Sequence, residues 1–429
     1  MVGGDRVTQY KLEDVLTEQQ VQQIVKAYVP EEQWQLVDYT VKPASDGLSG
    51  FMGDHLKISL NVKFDGQTKA IPLFIKRIPQ ENKPKADFIE NSNFFRREMT
   101  MFQLFDKIRP TEEGPNPWCT KAVVCTESLL VLPDLNVQGY SPRPHNQTLD
   151  LAHVFVATAS LARFHAAVAN YEARKTIELN KPYSFFKEHE HIITEATYVK
   201  SPWLTAAAKL AANKLKTFST KIFREIPDLE NKVLDRILEA CDCLKEYDDT
   251  INVVLHKDLW ANNIMFRYEN GLPANAMLID FQCIRYGPPS FDLMSFLYLT
   301  TSSSFREQHE RKVLHYYYCV FFDSLKDAAK QKVTKLGFNR EEFLRWCERS
   351  RMFGICVAGR SFPYVLMDPV VAQKTFDDPA TFEKYFIEDR TEPVVAHANK
   401  DPMYKNRQVE VAEEFVKRYI SNQPEKQNL

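Results

Sequence analysis

The chain has 429 residues, of which 44% are hydrophobic and 12% aromatic, enough to bury a large core and to form more than one lobe. A formal net charge of −2 and a pI near 6.6 argue against nucleic-acid binding driven by phosphate contacts. The eight cysteines are scattered, with no Cys-x-x-Cys pair and no zinc-like His spacing, which points to reduced thiols in a cytoplasmic enzyme.

The first residues, Met1 to Val7, lack an apolar signal core, and position 2 is Val, so N-myristoylation is not expected. No stretch approaches ~18 uninterrupted apolar residues, so no membrane span is expected. The polar end, Asn422–Leu429, reads as disordered.

In chain order, residues 12–28 read as an amphipathic helix carrying Leu12, Val15, Leu16, Val21, Ile24 and Val25, stopped by Pro30. Gln35–Val41 reads as a strand entering a loop with Gly47, Gly50 and Gly53. Glycine permits positive φ and close backbone approach, so Gly47 and Gly50 are candidates to cover nucleotide phosphates. The Gly-x-x-Gly-x-x-Gly spacing equally suits a plain hairpin turn. His55–Phe64 and Thr68–Arg77, joined by Asp65-Gly66, form an antiparallel meander.

Lys76 lies on the second of those strands. Glu98 follows in a helix whose buried stripe is Phe94, Met101, Phe102 and Phe105. A carboxylate on or near that stripe needs a partner. A strand lysine paired to a helix glutamate is what holding ATP phosphates requires. The apolar run from Leu129 into Pro133-Asp134-Leu135 reads as a strand entering an inter-lobe hinge, where backbone groups near Asp134 meet adenine. This divides the chain into residues 1–134 and 135–429. Beyond it, residues 149–170 read as a long helix in which His165 is a packed residue rather than a ligand. Residues 203–247 hold two helical patterns split by Pro227, with Asp228 able to start the second.

Residues 254–292 carry most of the chemistry. Asp258 is followed five residues later by Asn263, and Asp280 follows the apolar run Ala276–Ile279. Phosphoryl transfer needs a carboxylate that orients the acceptor hydroxyl and takes its proton. It also needs an amide oxygen and a second carboxylate to hold Mg²⁺ on the phosphates. Ile264-Met265-Phe266 reads as a short buried strand, and Tyr268-Glu269-Asn270-Gly271 as a hairpin turn that returns the chain and brings Asp280 beside Asn263. An Asp–Asn pair alone would be turn chemistry, and an Asp ending a strand alone would be a helix cap. The joint pattern favours a kinase-like site. Pro288-Pro289-Ser290-Phe291-Asp292 follows so soon that no peptide-docking segment fits, which points to a small-molecule acceptor. Helices continue through Tyr316–Phe322, and then from Phe343 to Ala358, ending near Gly359; the aromatics of 291–322 read as core packing.

The runs Leu-His-Lys-Asp-Leu-Trp-Ala-Asn-Asn-Ile-Met-Phe and Leu-Ile-Asp-Phe-Gln-Cys-Ile-Arg-Tyr-Gly-Pro-Pro-Ser-Phe-Asp-Leu carry a family resemblance. So do Leu-Pro-Asp-Leu-Asn-Val-Gln-Gly-Tyr and Leu-Ala-Arg-Phe-His-Ala upstream. The chain resembles the ecdysteroid kinase-like family, which belongs with choline kinases and aminoglycoside phosphotransferases in the protein-kinase-like superfamily. The resemblance implies an α+β bilobal fold, with a small antiparallel-sheet N-lobe and a mainly helical C-lobe. It implies ATP and Mg²⁺ as cofactors, Asp258 as catalytic base, Asn263 and Asp280 as metal ligands, Lys76 on the phosphates and Glu98 orienting it. His256 and Asp292 would brace the loop, and Trp260 would meet the acceptor or pack. The acceptor would be an ecdysteroid or similar lipophilic alcohol, with a xenobiotic (a detoxifying role) or choline-like alcohol as the alternative. A catalytically inactive binding module is the remaining one, and a monomer is expected. Two departures stand out: Lys257 where the family usually has Gly, and Pro133 where it tends to have an acid.

Overall fold

The computed structural model describes residues 10–31, 33–45, 50, 52–108, 116–195 and 197–421. Gly47 and the polar end at 422–429 lie outside them. The chain begins with α1 (Glu18–Tyr28), which starts at a reciprocal cap: Gln20 N donates to Thr17 Oγ1, and Thr17 N donates to Gln20 Oε1. The helix expected over 12–28 is therefore shorter. Thr17 is extended, so Leu12–Asp14 forms only one tight turn, although Leu12 and Leu16 stay buried in the same core.

Next come β1 (Gln35–Pro43), β2 (Asp54–Phe64), β3 (Gln67–Arg77), α2 (Lys83–Asn91), α3 (Phe94–Ile108), β4 (Val124–Cys125) and β5 (Leu129–Pro133). The five strands form one antiparallel sheet in the order β1-β2-β3-β5-β4. Strand period dictates its two faces. Leu56, Ile58, Leu60 and Val62 of β2, with Ile71, Leu73 and Ile75 of β3, bury one face together with Val21, Ile24 and Val25 of α1. Phe74 and Lys76 alternate onto the opposite face, where they line a large cavity.

The remainder is mainly helical. It runs through β6 (Tyr140–Pro142), α4 (Leu151–Glu178), the single turns α5 (Phe185–Glu188) and α6 (Glu190–Ile193), α7 (Pro202–Phe218), α8 (Lys221–Arg224) and α9 (Leu229–Asp242). Then follow β7 (Val253–Leu255), β8 (Ile264–Glu269), β9 (Leu272–Leu278), β10 (Arg285–Gly287), α10 (Ser290–Thr300), α11 (Ser303–Ser324) and α12 (Asp327–Lys335). The chain closes with α13 (Arg340–Val365), α14 (Pro369–Phe376), α15 (Thr391–Ala398) and α16 (Pro402–Val416). The protein is thus bilobal, a small antiparallel-sheet lobe beside a mainly helical one. Strands β6, β8 and β9 make a second antiparallel sheet, and β7 pairs with β10.

Three helical expectations change. Helix α4 runs on to Glu178; it is long and apolar enough to cross a membrane, but it packs against α11, α12 and β9 and is largely buried. Asp228 stands at the start of α9 in a left-handed conformation, and its carboxylate accepts from the Asn231 side chain at 2.7 Å rather than capping the helix backbone. Helix α13 passes Gly359 and Pro363 and ends at Val365, because Ala358, Ser361 and Phe362 are buried in the core and hold it. The aromatics Tyr317 and Phe321 of α11 are indeed core residues: Tyr317 stacks with Phe321 and Phe343, and Phe321 meets Phe338 edge-on.

The two lobes also meet away from the hinge. Lys85 of α2 is buried and pairs with Asp377 at 2.5 Å, while Asn82 Nδ2 donates to the Asp377 carbonyl at 2.8 Å. Phe88 of the same helix sits edge-on to Phe382 and Phe386.

Helix α13 crosses α10 at Gly354, where a Cβ would lie 2.8 Å from the Met294 carbonyl carbon and 2.9 Å from its oxygen. Backbone cannot yield there as a side chain would. Gly354→Ala is expected to destabilise the protein by about 1–3 kcal/mol through overpacking, read as a lowered midpoint in urea unfolding. An unchanged midpoint would contradict this packing.

Candidate active site

Strand β7 is wholly buried and leads through His256 and Lys257 to Asp258, which lines the cavity. The loop is held by Asp292 at the start of α10, itself 1% exposed. His256 N donates to Asp292 Oδ2 at 2.5 Å and Lys257 N donates to Oδ1 at 2.7 Å, while His165 Nε2 lies 3.1 Å from Oδ2. Tyr317 OH closes on His165 Nδ1 at 2.6 Å, so His165 is a packed helix residue with a structural partner on each ring nitrogen. His256 Nε2 meets the Ile279 carbonyl at 2.9 Å, and Asp258 N lies 3.3 Å from Nδ1. Burial lowers the pKa of His256, and the neutral tautomer with its proton on Nε2 satisfies both contacts.

Asn263 is pulled back into the same cleft. Its Nδ2 donates to the Asp258 carbonyl at 2.8 Å and lies 3.3 Å from Asp258 Oδ2. Ile279 N donates to Asn263 O at 3.0 Å, which sets Asp280 beside it. Burial pushes the Asp258 carboxyl up to about 6; the nearby Asp280 charge adds to this, while Arg360, Lys257 and Lys76 oppose it.

From the sheet lobe, Lys76 Nζ donates to Glu98 Oε2 at 2.8 Å, Asp280 Oδ1 at 2.6 Å and Gln282 Oε1 at 2.9 Å. Burial works against the lysine charge, but Asp280 and Glu98 outweigh it and hold the ammonium well above its usual range. Burial pushes Glu98 up despite Lys76. Contacts to two carboxylates and an amide oxygen hold the Lys76 ammonium in its charged form. Glu98 Oε1 also accepts from Phe281 N at 3.1 Å, which ties α3 to the chain just after Asp280. The sequence pairing of Lys76 with Glu98 is found, and Gln282, which that reasoning did not single out as a partner, joins it.

Gly53 packs its own backbone close against the end of β3, since a Cβ there would meet Arg77 O and Lys76 Cγ at 3.1 Å. A Cβ on Gly50 would lie 2.8 Å from His55 Cε1, and both residues line the cavity. Asp134 also lines it, paired to Lys57 at 3.1 Å. Its N–H is taken by the Pro72 carbonyl at 3.1 Å, and Asn136 N donates to Asp134 Oδ1 at 3.0 Å.

Lys257 does not face the cavity. Its backbone has φ +68°, the left-handed region that favours glycine, as does Asp280 at +67°. The side chain instead reaches Glu195 at 2.7 and 2.9 Å, with Nζ 4.6 Å from the Tyr198 ring centroid. Burial raises Glu195, but Lys257 and the N–H groups of Tyr198 and Thr197 bring it down to about 2. Burial lowers Lys257 against that same pairing. With both carboxylate oxygens in reach, the ionised pair is the state consistent with the contacts.

All described candidates, Asp258, Asn263, Asp280, Lys76, Glu98, Gly50 and Asp134, thus line one cavity of about 500 Å³. Trp203, Trp260, Phe88, Tyr364, Val365 and Arg360 line the same cavity. Residues 203–247 and the far half of α13 contribute only Trp203 and the 360–365 turn; most of their aromatic and apolar side chains are core. Arg360 had no local signal in the sequence, because nothing in its helix marks it off from a solvated position.

The model of the ecdysteroid kinase-like family matches residues 48–330. An uncharacterized kinase-like protein of Caenorhabditis elegans is 26% identical over 172 residues, 40% of this chain and 42% of that protein. The match therefore spans less than half the length of that relative. Among solved structures, an ethanolamine kinase of Plasmodium vivax is 13% identical with a TM-score of 0.39, covering 82% of this chain and 81% of its own. A choline kinase of Streptococcus pneumoniae is 11% identical with a TM-score of 0.38, covering 90% and 99%. With well over half of its length matched, this chain belongs to the ecdysteroid kinase-like family.

Proposed function

We propose that this chain is an ATP- and Mg²⁺-dependent small-molecule kinase that phosphorylates a hydroxyl of an ecdysteroid or related lipophilic alcohol. The observation that carries the reading is the meeting, in one cavity, of Asp258, Asn263 and Asp280 with the Lys76–Glu98 pair from the opposite lobe. Membership of the family and the aromatic and apolar side chains in the cavity lining support the acceptor class. All eight cysteines are free thiols, which supports a reducing compartment.

The donor set fits Mg²⁺. Asn263 and Asp280 offer hard oxygens, and among the described residues no cluster of three His, Cys, Asp or Glu side chains could hold a metal. Such a sparse set suits an ion that keeps waters and binds through substrate phosphates. When bound, Mg²⁺ would neutralise charge on the phosphate oxygens. Lys76, aimed by Glu98, would donate to the same phosphates. Of the N–H groups at 134–136, those of Asp134 and Asn136 are taken within the chain, which leaves Leu135 N–H as the hinge donor for adenine. Asp258 would orient the acceptor hydroxyl and take its proton. A carboxyl raised toward 6 is a stronger base than an exposed aspartate, yet is still ionised at neutral pH.

Asp258→Asn is expected to lower turnover by about 10²–10⁴-fold, the usual worth of a general base, with MgATP affinity within about twofold of wild type by calorimetry. Wild-type turnover in that variant would sink the assignment. Asp280→Asn is expected to weaken Mg²⁺-dependent ATP binding by about 10–100-fold without lowering the melting temperature. Unchanged binding would remove Asp280 from the metal site. Mass spectrometry of products from MgATP and a pool of ecdysteroids should reveal a phosphate conjugate with the wild type and none with Asp258→Asn. If no conjugate forms while MgATP still binds, the acceptor is a different alcohol, such as a xenobiotic. If MgATP does not bind either, the chain is a binding module.

A further inference from the structure

Arg360 stands in the wall of the cavity that also holds Asp258, on the last turns of α13 and beyond the residues matched by the family model. Its Cζ lies 4.5 Å from the centroids of both Tyr198 and Trp203. Among the described residues no carboxylate pairs with it. Among those residues its one hydrogen bond runs from Nη2 to Ser361 Oγ at 3.2 Å, and the buried Nε has no partner. A guanidinium carries five donors in a planar fork, so most of this one is unused.

The contrast with Arg97 is informative. That arginine is fully buried and spends all three nitrogens on the carbonyls of Ser92, Ile284 and Thr194, a purely structural role. Arg390 also keeps unpartnered nitrogens, but it sits behind Trp203 and lines no part of the cavity. Arg360 alone of the three combines an open fork with a place on the cavity wall. A buried donor set of this kind calls for oxygen acceptors.

We propose that Arg360 is a specificity residue for the acceptor: it binds a ketone or carboxylate oxygen on an apolar ring alcohol and rejects cationic alcohols. The inference rests on the kinase reading, since it assigns the acceptor end of that same cavity. Two features make the discrimination. The guanidinium fork matches a carbonyl or carboxylate, with bidentate geometry for the latter. The aromatic face nearest the guanidinium on the cavity wall is already covered: Trp203 carries Arg360, as does the neighbouring Tyr198, which also carries Lys257. A quaternary ammonium approaching Trp203 would meet this fixed positive charge.

The test is equilibrium binding to the full chain, followed by tryptophan fluorescence, with Trp203 and Trp260 as reporters at the site. The probes are three hydroxylated steroids of one skeleton, ending in a carboxylate, a neutral hydroxyl or a trimethylammonium group. Wild type is expected to bind the carboxylate at least about tenfold more tightly than the ammonium, as for a charge-assisted hydrogen bond against a repelled cation. In Arg360→Met that ratio should fall to within about twofold to threefold, while MgATP affinity, measured separately, stays at the wild-type value. Arg360→Lys keeps the charge and loses the fork, so it should still reject the ammonium while binding the carboxylate more weakly. It decides the matter if the Met variant does not fold. An unchanged ratio in Arg360→Met, unchanged carboxylate affinity in Arg360→Lys, or binding of none of the probes overturns the proposal. MgATP binding in the same samples reports separately on the kinase reading.

Discussion

The geometry of the site depends on one buried carboxylate. Asp292, on α10, accepts the N–H groups of His256 and Lys257 and faces His165 on α4. A carboxylate at 1% exposure is tolerable only when such donors surround it. By meeting its own need it fixes where β7 ends and how the following turn bends. That turn includes Lys257 at φ +68°, a conformation the chain adopts only because both flanking N–H groups are tied down. The orientation of Asp258 follows from this anchor, as do the Asn263 contact and the strand return to Asp280.

Charge balance is the second constraint. Asp258, Asp280 and Glu98 gather negative charge in a space that burial makes unfavourable for it. Lys76 compensates from the sheet lobe, and Lys257 and Arg360 from the helical one. The two latter cations are not interchangeable. Lys257 is committed to Glu195, whereas Arg360 has no such partner among the described residues. The site is therefore balanced as a whole rather than pair by pair.

Much of this was legible in the sequence where the chemistry is local. Asp258, Asn263 and Asp280 fall within 23 residues and are separated by one hairpin, so spacing alone implies their convergence. Lys76 and Glu98 were readable because a strand, and a helix about twenty residues on, each carry a charged residue at an apolar position. The Thr17–Gln20 cap was also readable as Thr-x-x-Gln, and it, not the apolar period, sets the start of α1. What could not be read depends on distant partners. Glu195 meets Lys257 across 62 residues, and no pattern near either position marks the pair. Helix α13 ignores Gly359 because tertiary packing outweighs a local breaker. The setting of Arg360 exists only once Tyr198 and Trp203 are brought against it from elsewhere in the chain.

The contact between α2 and the segment around Asp377 gives the cleft a second fastening. One edge is joined by the chain itself, just past β5; the other is held by Lys85 with Asp377 and by Phe88 among Phe382 and Phe386. A cleft fastened at two places resists opening. Separating this second contact would strand a buried ammonium without its counter-charge and wet three aromatic rings at once. Because Lys85 is only 2% exposed, with Asp377 at 20%, dissolved salt screens this pair less than it screens a fully exposed one.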